Sequence, residues 1–486
     1  MPGQEYFNFI SGEWVKSESR ERFETHNPAR KSISLGTFQL SGREDAKKAI
    51  SAARESLPKW KGTPGPERGK VLYKAAQILE SEIDDLSRTL TEEEGKTLAE
   101  SRGEVQRAIE IFRFAGSQGF RINGKTFSSG FKRTLLYSIR EPVGVVALMS
   151  PWNFPIAIPS WKMAPALVCG NTVVFKPASL TPLIGLKIVS ALERAGLPPG
   201  VLNFVTGPGG TVGDELATSP DVDAISFTGS YEVGHGIQKA RANSKRMARV
   251  QLEMGGKNPI IVLPDAKLDE AANIVSKSAF GLTGQACTAT SRVIVHESVK
   301  DRFVEKISNF AKNTAVGDGL DPRTQMGPAV SQSQMESDLN YVDIGRREGA
   351  KLVVGGDKSS SSNQEGYYVD PTVFDGVSAD MRIAKEEIFG PVLSVMSASN
   401  ADQAIELANK SEYGLTAGLC TSSLTSAFEF AEKVEAGVIK INKLTTGLEL
   451  HVPFGGFKKS SSNTFKEQGE EAVDFYSRIK TVYVEY

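Results

Sequence analysis

The sequence predicts an α/β fold with doubly wound parallel sheets. Short apolar runs at 143–149, 171–176, 201–205 and 224–227 have the composition of buried strands, and 184–195 between two of them has a helical pattern. Polar or glycine-rich turns follow these runs, and parallel sheets bind ligands at that edge. A second cycle of strands and helices begins after Gly256, so we expect two such sheets.

The elements outside the first cycle are predicted from periodicity. Residues 62–103 are predicted to be mainly helical, and a second amphipathic helix follows over about 104–114. Residues 125–141 lack a helical period and are predicted to be extended. In the second cycle we expect strands at 260–263 and 292–295 and helices at 268–282 and 299–311. The serine-rich segment 358–366 is predicted to be a solvated loop, and 481–486 an edge strand.

Composition excludes several classes of protein. The 486 residues include 57 Lys and Arg and 58 Asp and Glu, a formal net charge of −1. This length suggests about three domain-sized units. A nucleic-acid-binding protein needs a basic excess, which is missing here. No apolar run reaches the roughly 18 residues of a membrane span, and we expect no signal peptide in the first 14 residues.

Cysteine and histidine usage indicates the compartment and argues against a metal site. The three cysteines, Cys169, Cys287 and Cys420, are odd in number and far apart, which favours a reducing cytoplasm over a disulfide-bonded secreted protein. The four histidines show no spacing typical of metal ligands. We therefore expect no bound metal.

Three residues could carry covalent chemistry. Cys287 lies in a polar, glycine-flanked segment, whereas Cys169 and Cys420 lie among apolar residues. Glu253 ends a predicted strand, where its carboxylate would enter the cleft, and Asn153 could donate to an oxyanion. Taken singly, each also fits a structural role: a packed cysteine, a solvated glutamate and a turn-forming asparagine.

The glycine-rich segments are weaker signals. No GxGxxG motif is present, but 207–213 and 229–234 are looser relatives of it. Each leads into a predicted helix start, which is suited to binding phosphate. Either segment alone would be weak evidence for a dinucleotide.

Seven segments together resemble the aldehyde dehydrogenase superfamily in order and spacing, over essentially the whole chain. They are Pro151-Trp-Asn-Phe-Pro155, Lys176-Pro-Ala178, Phe227-Thr-Gly-Ser230, Leu252-Glu-Met-Gly-Gly-Lys257, Gly284-Gln-Ala-Cys287, Glu386-Glu-Ile-Phe-Gly-Pro391 and Pro453-Phe-Gly-Gly456. The resemblance implies two doubly wound sheet domains and a small β oligomerisation arm.

The resemblance also implies the catalytic roles. Cys287 would attack the aldehyde carbon and form a hemithioacetal and then a thioester. Asn153 and the backbone N–H of Cys287 would stabilise the oxyanion, and Glu253 would activate the water that hydrolyses the thioester. The reaction would be NAD(P)-dependent and non-acylating, because acylating relatives generally lack this glutamate. A protein that kept the fold and lost the reaction would lack one of these three residues, and all are present.

The implied cofactor-binding residues lie in the same motifs. Lys176 would contact the adenosine ribose, Ser230 and the turn at Gly209 the pyrophosphate, and Glu387 the nicotinamide ribose. The full set is Trp152, Lys176, Ser179, Gly209, Gly229, Ser230, Glu387 and Phe389. NAD-specific members usually carry a glutamate where this chain has Ser179, and its absence removes a charge that would repel a 2′-phosphate. We expect NADP to be preferred and NAD to be possible.

The substrate is less sharply indicated. Trp161 and Gly281 stand where the succinic-semialdehyde branch carries arginines. Segments 158–162, 283–292 and 447–454 resemble 2,5-dioxopentanoate (α-ketoglutaric semialdehyde) dehydrogenases instead. That substrate ends in a carboxylate, for which Arg107 and Lys443 are the candidate partners, although Arg107 could equally be a surface residue.

Two alternatives and the organisation of the chain complete these expectations. Phe154 and Trp161 would also suit a broad-range aliphatic or aromatic aldehyde dehydrogenase, and succinic semialdehyde is a further alternative.

We expect a cofactor domain from 1–123 and 142–254, a catalytic domain from 255–456, and an arm with a C-terminal strand from 124–141 and 457–486. The expected partners are a small aldehyde and further copies of the chain, in a homodimer or homotetramer, with no nucleic acid and no membrane.

Overall fold

The structure is a computed structural model that describes residues 3–359 and 365–486. Part of the predicted serine-rich loop, 360–364, lies outside the described residues. The strands are β1 (Asn8–Ile10), β2 (Glu13–Val15), β3 (Arg22–Asn27), β4 (Arg30–Gln39), β5 (Thr126–Phe127), β6 (Thr134–Pro142), β7 (Val145–Met149), β8 (Thr172–Lys176), β9 (Leu202–Phe204), β10 (Ala224–Thr228), β11 (Arg249–Glu253), β12 (Asn258–Val262), β13 (Thr290–His296), β14 (Lys351–Val354), β15 (Thr372–Asp375), β16 (Val392–Ala398), β17 (Tyr413–Gly414), β18 (Thr416–Cys420), β19 (Val438–Ile441), β20 (Phe457–Lys458) and β21 (Ser477–Glu485). The helices are α1 (Arg43–Gly62), α2 (Gly65–Ser81), α3 (Ile83–Glu94), α4 (Leu98–Gln118), α5 (Ala157–Val168), α6 (Pro182–Arg194), α7 (Asp214–Thr218), α8 (Tyr231–Ala242), α9 (Leu268–Phe280), α10 (Glu297–Asn313), α11 (Gln332–Arg347), α12 (Arg382–Lys385), α13 (Ala401–Asn409), α14 (Leu424–Lys433) and α15 (Glu471–Tyr476).

The first sheet has the strand order β11-β10-β7-β8-β9-β1-β2. Its strands β7 to β11 pair in parallel and are largely buried, and β1 and β2 add antiparallel strands at one edge. The register places Met149 beside both Lys176 and Phe227. The loops that follow these three residues therefore leave the same edge of the sheet, as predicted.

The second sheet has the order β14-β15-β16-β13-β12-β18-β19. All its pairs are parallel except β14 with β15. Helices α9 and α10 cover one face, where Val275, Phe303 and Ile307 are buried against strand residues. Two sheets with crossover helices confirm the predicted doubly wound α/β class.

The long helical region was predicted with the wrong divisions. Residues 62–103 form α2, α3 and the start of α4, and the helix predicted over 104–114 is the middle of α4. Gly95 ends α3 with a φ of 101°, and a Cβ there would lie 2.8 Å from Cγ of Pro328. Thr97 then caps α4, and its backbone N–H donates to the Glu100 carboxylate at 2.9 Å. Strands β1–β4 and helix α1 were not predicted.

The small antiparallel sheet has the order β21-β6-β5. Strand β21 pairs with β6 along its whole length, from Ser477 opposite Pro142 to Glu485 opposite Thr134, so the C-terminal strand begins earlier than predicted. Residues 457–476 were predicted to belong to this arm, but they pack against residues of the two large sheet domains instead. Strand β20 pairs with β17, Ser461 bridges to Glu253, and Val473, Phe475 and Tyr476 in α15 join the core beneath the first sheet.

Across residues 3–359 and 365–486, none of the helices combines the length and the apolar character required to cross a bilayer.

Candidate active site

Two cavities meet at Cys287. One, of about 690 Å³, lies beside helices α4, α5 and α9 and has a mainly apolar lining. The other, of about 720 Å³, lies at the carboxyl edge of the first sheet and is lined by Trp152, Ser230 and Glu387. Cys287 borders both cavities, so groups held in either one can lie next to this residue.

Hydrogen bonds hold the loop that presents Cys287. Leu282 and Thr283 have φ values of 54° and 58°, in the left-handed region that side chains rarely adopt. The Leu282 N–H donates to Glu100 at 2.8 Å, and the Thr283 hydroxyl donates to the Gly327 carbonyl at 3.0 Å. The amide of Asn258 donates to the Cys287 carbonyl at 2.7 Å. The backbone around the thiol is thus fixed from several directions.

The Cys287 thiol is free and partly buried. Burial and the nearby carboxylates Glu387 and Glu253 raise its pKa to about 12. The thiol is therefore neutral at neutral pH, and it needs a base or a nearby positive charge before it can act as a nucleophile.

Asn153 lies beside this loop, as predicted. Its amide donates to the Gln285 carbonyl at 2.9 Å, two residues before the cysteine, and its second amide hydrogen remains for a ligand. Its own carbonyl accepts from Lys96 at 2.6 Å, and Lys96 is paired with buried Glu104 at 2.7 Å. The asparagine is thus a fixed donor next to the thiol.

Glu253, at the end of β11, is buried close to the same cavities. One carboxylate oxygen accepts from the Ser461 hydroxyl at 3.1 Å and the other from the Gly456 N–H at 3.2 Å. Burial and the charge of Glu467 raise its pKa well above the usual range, and Lys466 opposes that shift. A carboxyl group with a raised pKa is suited to accept a proton near neutral pH.

Sequence reasoning missed the buried charged groups behind Glu253. Glu467 accepts from the indole N–H of Trp161 at 2.7 Å and pairs with Lys162, which also donates to Ser226 at 2.9 Å. Lys162 is a charged residue in helix α5, which is buried throughout its length. That charge in an apolar helix was a usable signal, whereas Glu467 lies in a polar segment with no motif.

Most of the predicted cofactor residues line the second cavity. Trp152 and Phe389 meet edge to face with their ring centres 5.3 Å apart. Glu387 accepts from the Gly256 N–H at 2.9 Å, and burial raises its pKa to about 7. Ser230 caps helix α8, whose first N–H groups lie at this cavity, and Gly229 packs on the Phe227 ring.

Lys176, Ser179 and Gly209 form a neighbouring group just beyond this cavity. Lys176 is buried, which lowers its pKa to about 8, and its amine donates to the Pro177 carbonyl at 3.0 Å. Ser179 is exposed and its hydroxyl lies 3.4 Å from the Gly207 carbonyl. The turn Gly209–Gly213 follows, and a Cβ on Gly213 would lie 4.0 Å from the Lys176 side chain.

These residues fit a dinucleotide. An aromatic wall suits a nicotinamide ring, a carboxylate suits ribose hydroxyls, and a helix N-terminus suits phosphate. A Cβ on Gly255 would lie 1.9 Å from a Glu387 oxygen, so glycine is required there for the carboxylate to hold its place. Among the described residues, no group of three or more His, Cys, Asp or Glu is arranged to hold a metal ion.

Three of the four predicted substrate residues line the first cavity: Arg107, Phe154 and Trp161. The guanidinium of Arg107 lies 5.8 Å from the Trp161 ring centre, and burial lowers the pKa of this arginine. Lys443 is exposed and is not brought to the cavity. Asn442 adopts a φ of 52°, and the next lining residue is Leu444. Lys277, in the last turn of α9, lies at the rim of this first cavity, and it was not predicted as a site residue.

Comparison with known proteins agrees with this geometry. The profile described as "Aldehyde dehydrogenase family" matches residues 14–482. The chain is 49% identical to the "Alpha-ketoglutarate semialdehyde dehydrogenase" of Haloferax volcanii, over 99% of each chain. It is 46% identical to the "2,5-dioxopentanoate dehydrogenase" of Saccharolobus solfataricus, over 98% of each.

A solved structure gives the same answer for the fold. The NAD-dependent aldehyde dehydrogenase of Sinorhizobium meliloti superposes with a TM-score of 0.96 at 35% identity, covering 99% of this chain and 95% of the other. The predicted resemblance and the predicted enzyme class are confirmed. This chain is an aldehyde-oxidising enzyme that uses a nicotinamide cofactor, and it belongs to the aldehyde dehydrogenase family.

Proposed function

We propose that this enzyme oxidises 2,5-dioxopentanoate to 2-oxoglutarate through a thioester on Cys287. The observation that carries the chemistry is the position of Cys287 at the junction of the two cavities, with Asn153 lining one of them and Glu253 near enough for its charge to act on the thiol. Support for the substrate comes from similarity along the full chain to relatives named for this aldehyde.

The first step is attack of the Cys287 thiolate on the aldehyde carbon. The Asn153 amide and the Cys287 N–H donate to the oxygen as it becomes negative. When bound, the nicotinamide supplies the acceptor for the hydride that leaves the substrate carbon. The position of Cys287 on the border of both cavities supports this step, because substrate and cofactor could then meet at the sulfur.

The second step is hydrolysis of the thioester. Glu253 takes a proton from a water molecule, whose oxygen attacks the carbonyl carbon and releases the carboxylic acid and the thiolate. Hydrogen bonds from Ser461 and Gly456 hold the carboxylate oxygens of Glu253, which keeps the base oriented.

We also propose that NADP is the preferred cofactor and that NAD can be used. Lys176 supplies a cation near the expected adenosine ribose, and Ser179 supplies a neutral hydroxyl where a glutamate would repel a 2′-phosphate. The residue roles that follow are Trp152 and Phe389 at the nicotinamide, Glu387 at its ribose, and Gly209, Gly229 and Ser230 at the pyrophosphate.

For the distal carboxylate of the substrate we propose Arg107. It lines the cavity that leads to the thiol, and no carboxylate lies within ion-pair distance of it in the described ranges. Lys277 at the rim likewise has no ion-pair partner there. A desolvated, unpaired guanidinium binds carboxylates well because it can donate two hydrogen bonds at once.

A broad-range aldehyde dehydrogenase is the second candidate. The observation in its favour is the apolar wall of the first cavity, where Phe154, Trp161 and Phe454 face the aldehyde path. Succinic semialdehyde has weaker support, since Trp161 and Gly281 replace the arginines expected for it.

The remaining proposals concern organisation and location. We assign cofactor binding to the part built on the first sheet and catalysis to the part built on the second. The arm of β5, β6 and β21 would join copies into a homodimer or homotetramer. A cytoplasmic location is supported by the free cysteines.

The test is a comparison of kcat/KM for 2,5-dioxopentanoate, succinic semialdehyde and benzaldehyde, each with NADP and with NAD. We expect the highest value with 2,5-dioxopentanoate and NADP, and no activity in the Cys287→Ser variant. Equal values for all three aldehydes would favour the broad-range enzyme. A Cys287→Ser variant as active as the wild type would contradict the proposed chemistry.

A further inference from the structure

Arg107 is held by neutral groups only. Its guanidinium donates to the side-chain oxygen of Gln468 at 2.9 Å and to the backbone carbonyl of Leu448. Its third neighbour is the Trp161 ring. Nearby Glu104 is already paired with Lys96, and Glu449 is exposed to solvent. Among the described residues Arg107 forms no ion pair, and the charges of Glu449 and Glu104 act on it only from a longer distance.

Gln468 is buried and has a strained backbone conformation. It is only 3% exposed, and its backbone has a φ of 64°, in the left-handed region. Since arginine only donates, the amide oxygen must face Arg107 and the NH2 group must point away. That NH2 group is buried and has no hydrogen-bond partner in the described structure. An unmet buried donor destabilises a fold, so another requirement must favour glutamine here.

Glu467, the residue before Gln468, shows the alternative arrangement, in which the cation has a negatively charged partner. Glu467 forms a buried ion pair with Lys162 and accepts from the Trp161 indole N–H. The next residue, Gln468, contacts a different cation, Arg107, and does so through a neutral amide. Two adjacent residues thus each contact a cation near Trp161, and only Glu467 forms an ion pair with its cation.

We infer that Gln468 is a positioning residue for substrate specificity, because it orients Arg107 through a neutral acceptor and leaves its charge free for a substrate carboxylate. This inference rests on the proposed role of Arg107 and extends it to a residue that does not line the cavity. A glutamate in this place would orient Arg107 equally well, but it would form an internal ion pair that competes with the substrate.

The experiment uses two aldehydes that differ only in a carboxylate, benzaldehyde and 4-carboxybenzaldehyde, together with 2,5-dioxopentanoate. In the Gln468→Glu variant we expect KM for the two carboxylated aldehydes to rise by about 10- to 100-fold. We expect kcat to change little and benzaldehyde kinetics to stay near those of the wild type. The Gln468→Met variant removes the acceptor and the unmet donor, and it should shift selectivity in the same direction with a smaller change in KM.

A binding measurement without cofactor provides a second readout. Isothermal titration of the enzyme with 2-oxoglutarate should show weaker binding in Gln468→Glu than in the wild type. The matched control is Gln325→Glu, which adds the same charge at an exposed position of the same cavity. Solvent screens that charge, so we expect little selectivity change.

The outcomes separate this inference from the proposed function. If Arg107→Ala slows carboxylated and uncharged aldehydes equally, the proposed substrate site is wrong. If Arg107→Ala is selective but Gln468→Glu and Gln468→Met affect all aldehydes equally, only the role of Gln468 is overturned. Equal selectivity changes in Gln468→Glu and Gln325→Glu would also overturn it, because general charge in the cavity would then explain the effect.

Discussion

Burial controls the protonation of the residues around Cys287. Burial raises the pKa of the Cys287 thiol to about 12, and burial with the charge of Glu467 raises the pKa of Glu253. A neutral thiol is protected from unwanted oxidation, and a carboxyl group with a raised pKa can exchange protons with water in turnover.

The first prediction concerns pH. Glu253 accepts a proton only in its ionised form, and its raised pKa moves ionisation upward. We therefore expect kcat to rise with pH, because a larger fraction of Glu253 is then ionised and able to accept a proton. In Glu253→Gln the thioester should form and persist, which intact mass spectrometry would detect as an acylated protein. A flat pH profile in the wild type would contradict the assignment of the base.

The second prediction concerns the cofactor. Ser179→Glu should lower kcat/KM for NADP far more than for NAD, because the new carboxylate would repel the 2′-phosphate and could accept from a 2′-hydroxyl. Ser179→Gln has the same size without the charge and serves as the control. Equal losses with both cofactors in Ser179→Glu would mean that the adenosine ribose binds elsewhere.

At the scale of elements, helix α5 links the first sheet to the C-terminal segment. All twelve of its residues are buried, and Lys162 pairs with Glu467 across a wide separation in sequence. Glu467 is also joined to Phe454 by backbone hydrogen bonds of 2.6 and 2.7 Å. The ion pair therefore helps to position the segment that contains Gln468. Through Phe454 it also helps to position Gly455 and Gly456, which contact Glu253.

The third prediction concerns this ion pair. Lys162→Met would leave Glu467 buried without its cation, and we expect a loss of about 3–5 kcal/mol in the free energy of unfolding. Urea denaturation would measure it. Adding Glu467→Gln should recover part of the loss. Lys433→Met breaks the exposed pair with Asp402 and should change stability little. A similar loss of unfolding free energy in Lys162→Met and Lys433→Met would contradict the importance of burial for the first pair.

At the scale of the whole molecule, the arm exposes apolar side chains to solvent in the isolated chain. Ile479 and Tyr483 in β21 are 65% and 68% exposed, and Phe131 between β5 and β6 is 75% exposed. Alternate residues of a strand share a face, so Ile479 and Tyr483 lie on one side of the small sheet. Apolar surface of this kind is typical of a protein–protein interface.

The fourth prediction follows from that surface. We expect the purified enzyme to sediment as a dimer or tetramer, and Ile479→Lys with Tyr483→Lys to lower its mass in analytical ultracentrifugation. Circular dichroism should stay unchanged, because both side chains are exposed. Leu424→Lys is the control, at a residue that is 77% exposed on α14. A fall in mass with the control alone would place the interface on α14 instead.

The sequence could predict whatever is encoded locally. Strands β7, β8, β9, β10, β12 and β13 were predicted because a buried parallel strand is a short apolar run, visible without its neighbours. The motifs around Cys287, Glu253 and Asn153 were visible for the same reason, since each is a continuous segment. The helix ends at Gly95 and Thr97 were missed although both have local signals, a glycine with a positive φ and a capping box between Thr97 and Glu100.

Tertiary structure alone decided which distant groups share an environment. Lys162 and Glu467 are 305 residues apart, and Arg107 and Gln468 are 361 residues apart, so no local pattern could pair them. Whether a charge is cancelled or free depends on these pairings, because electrostatic interactions act through space and strengthen with burial. The sequence by itself therefore determined the fold class and the family, and it predicted the reacting residues. The fold decided which cations remain available to a substrate.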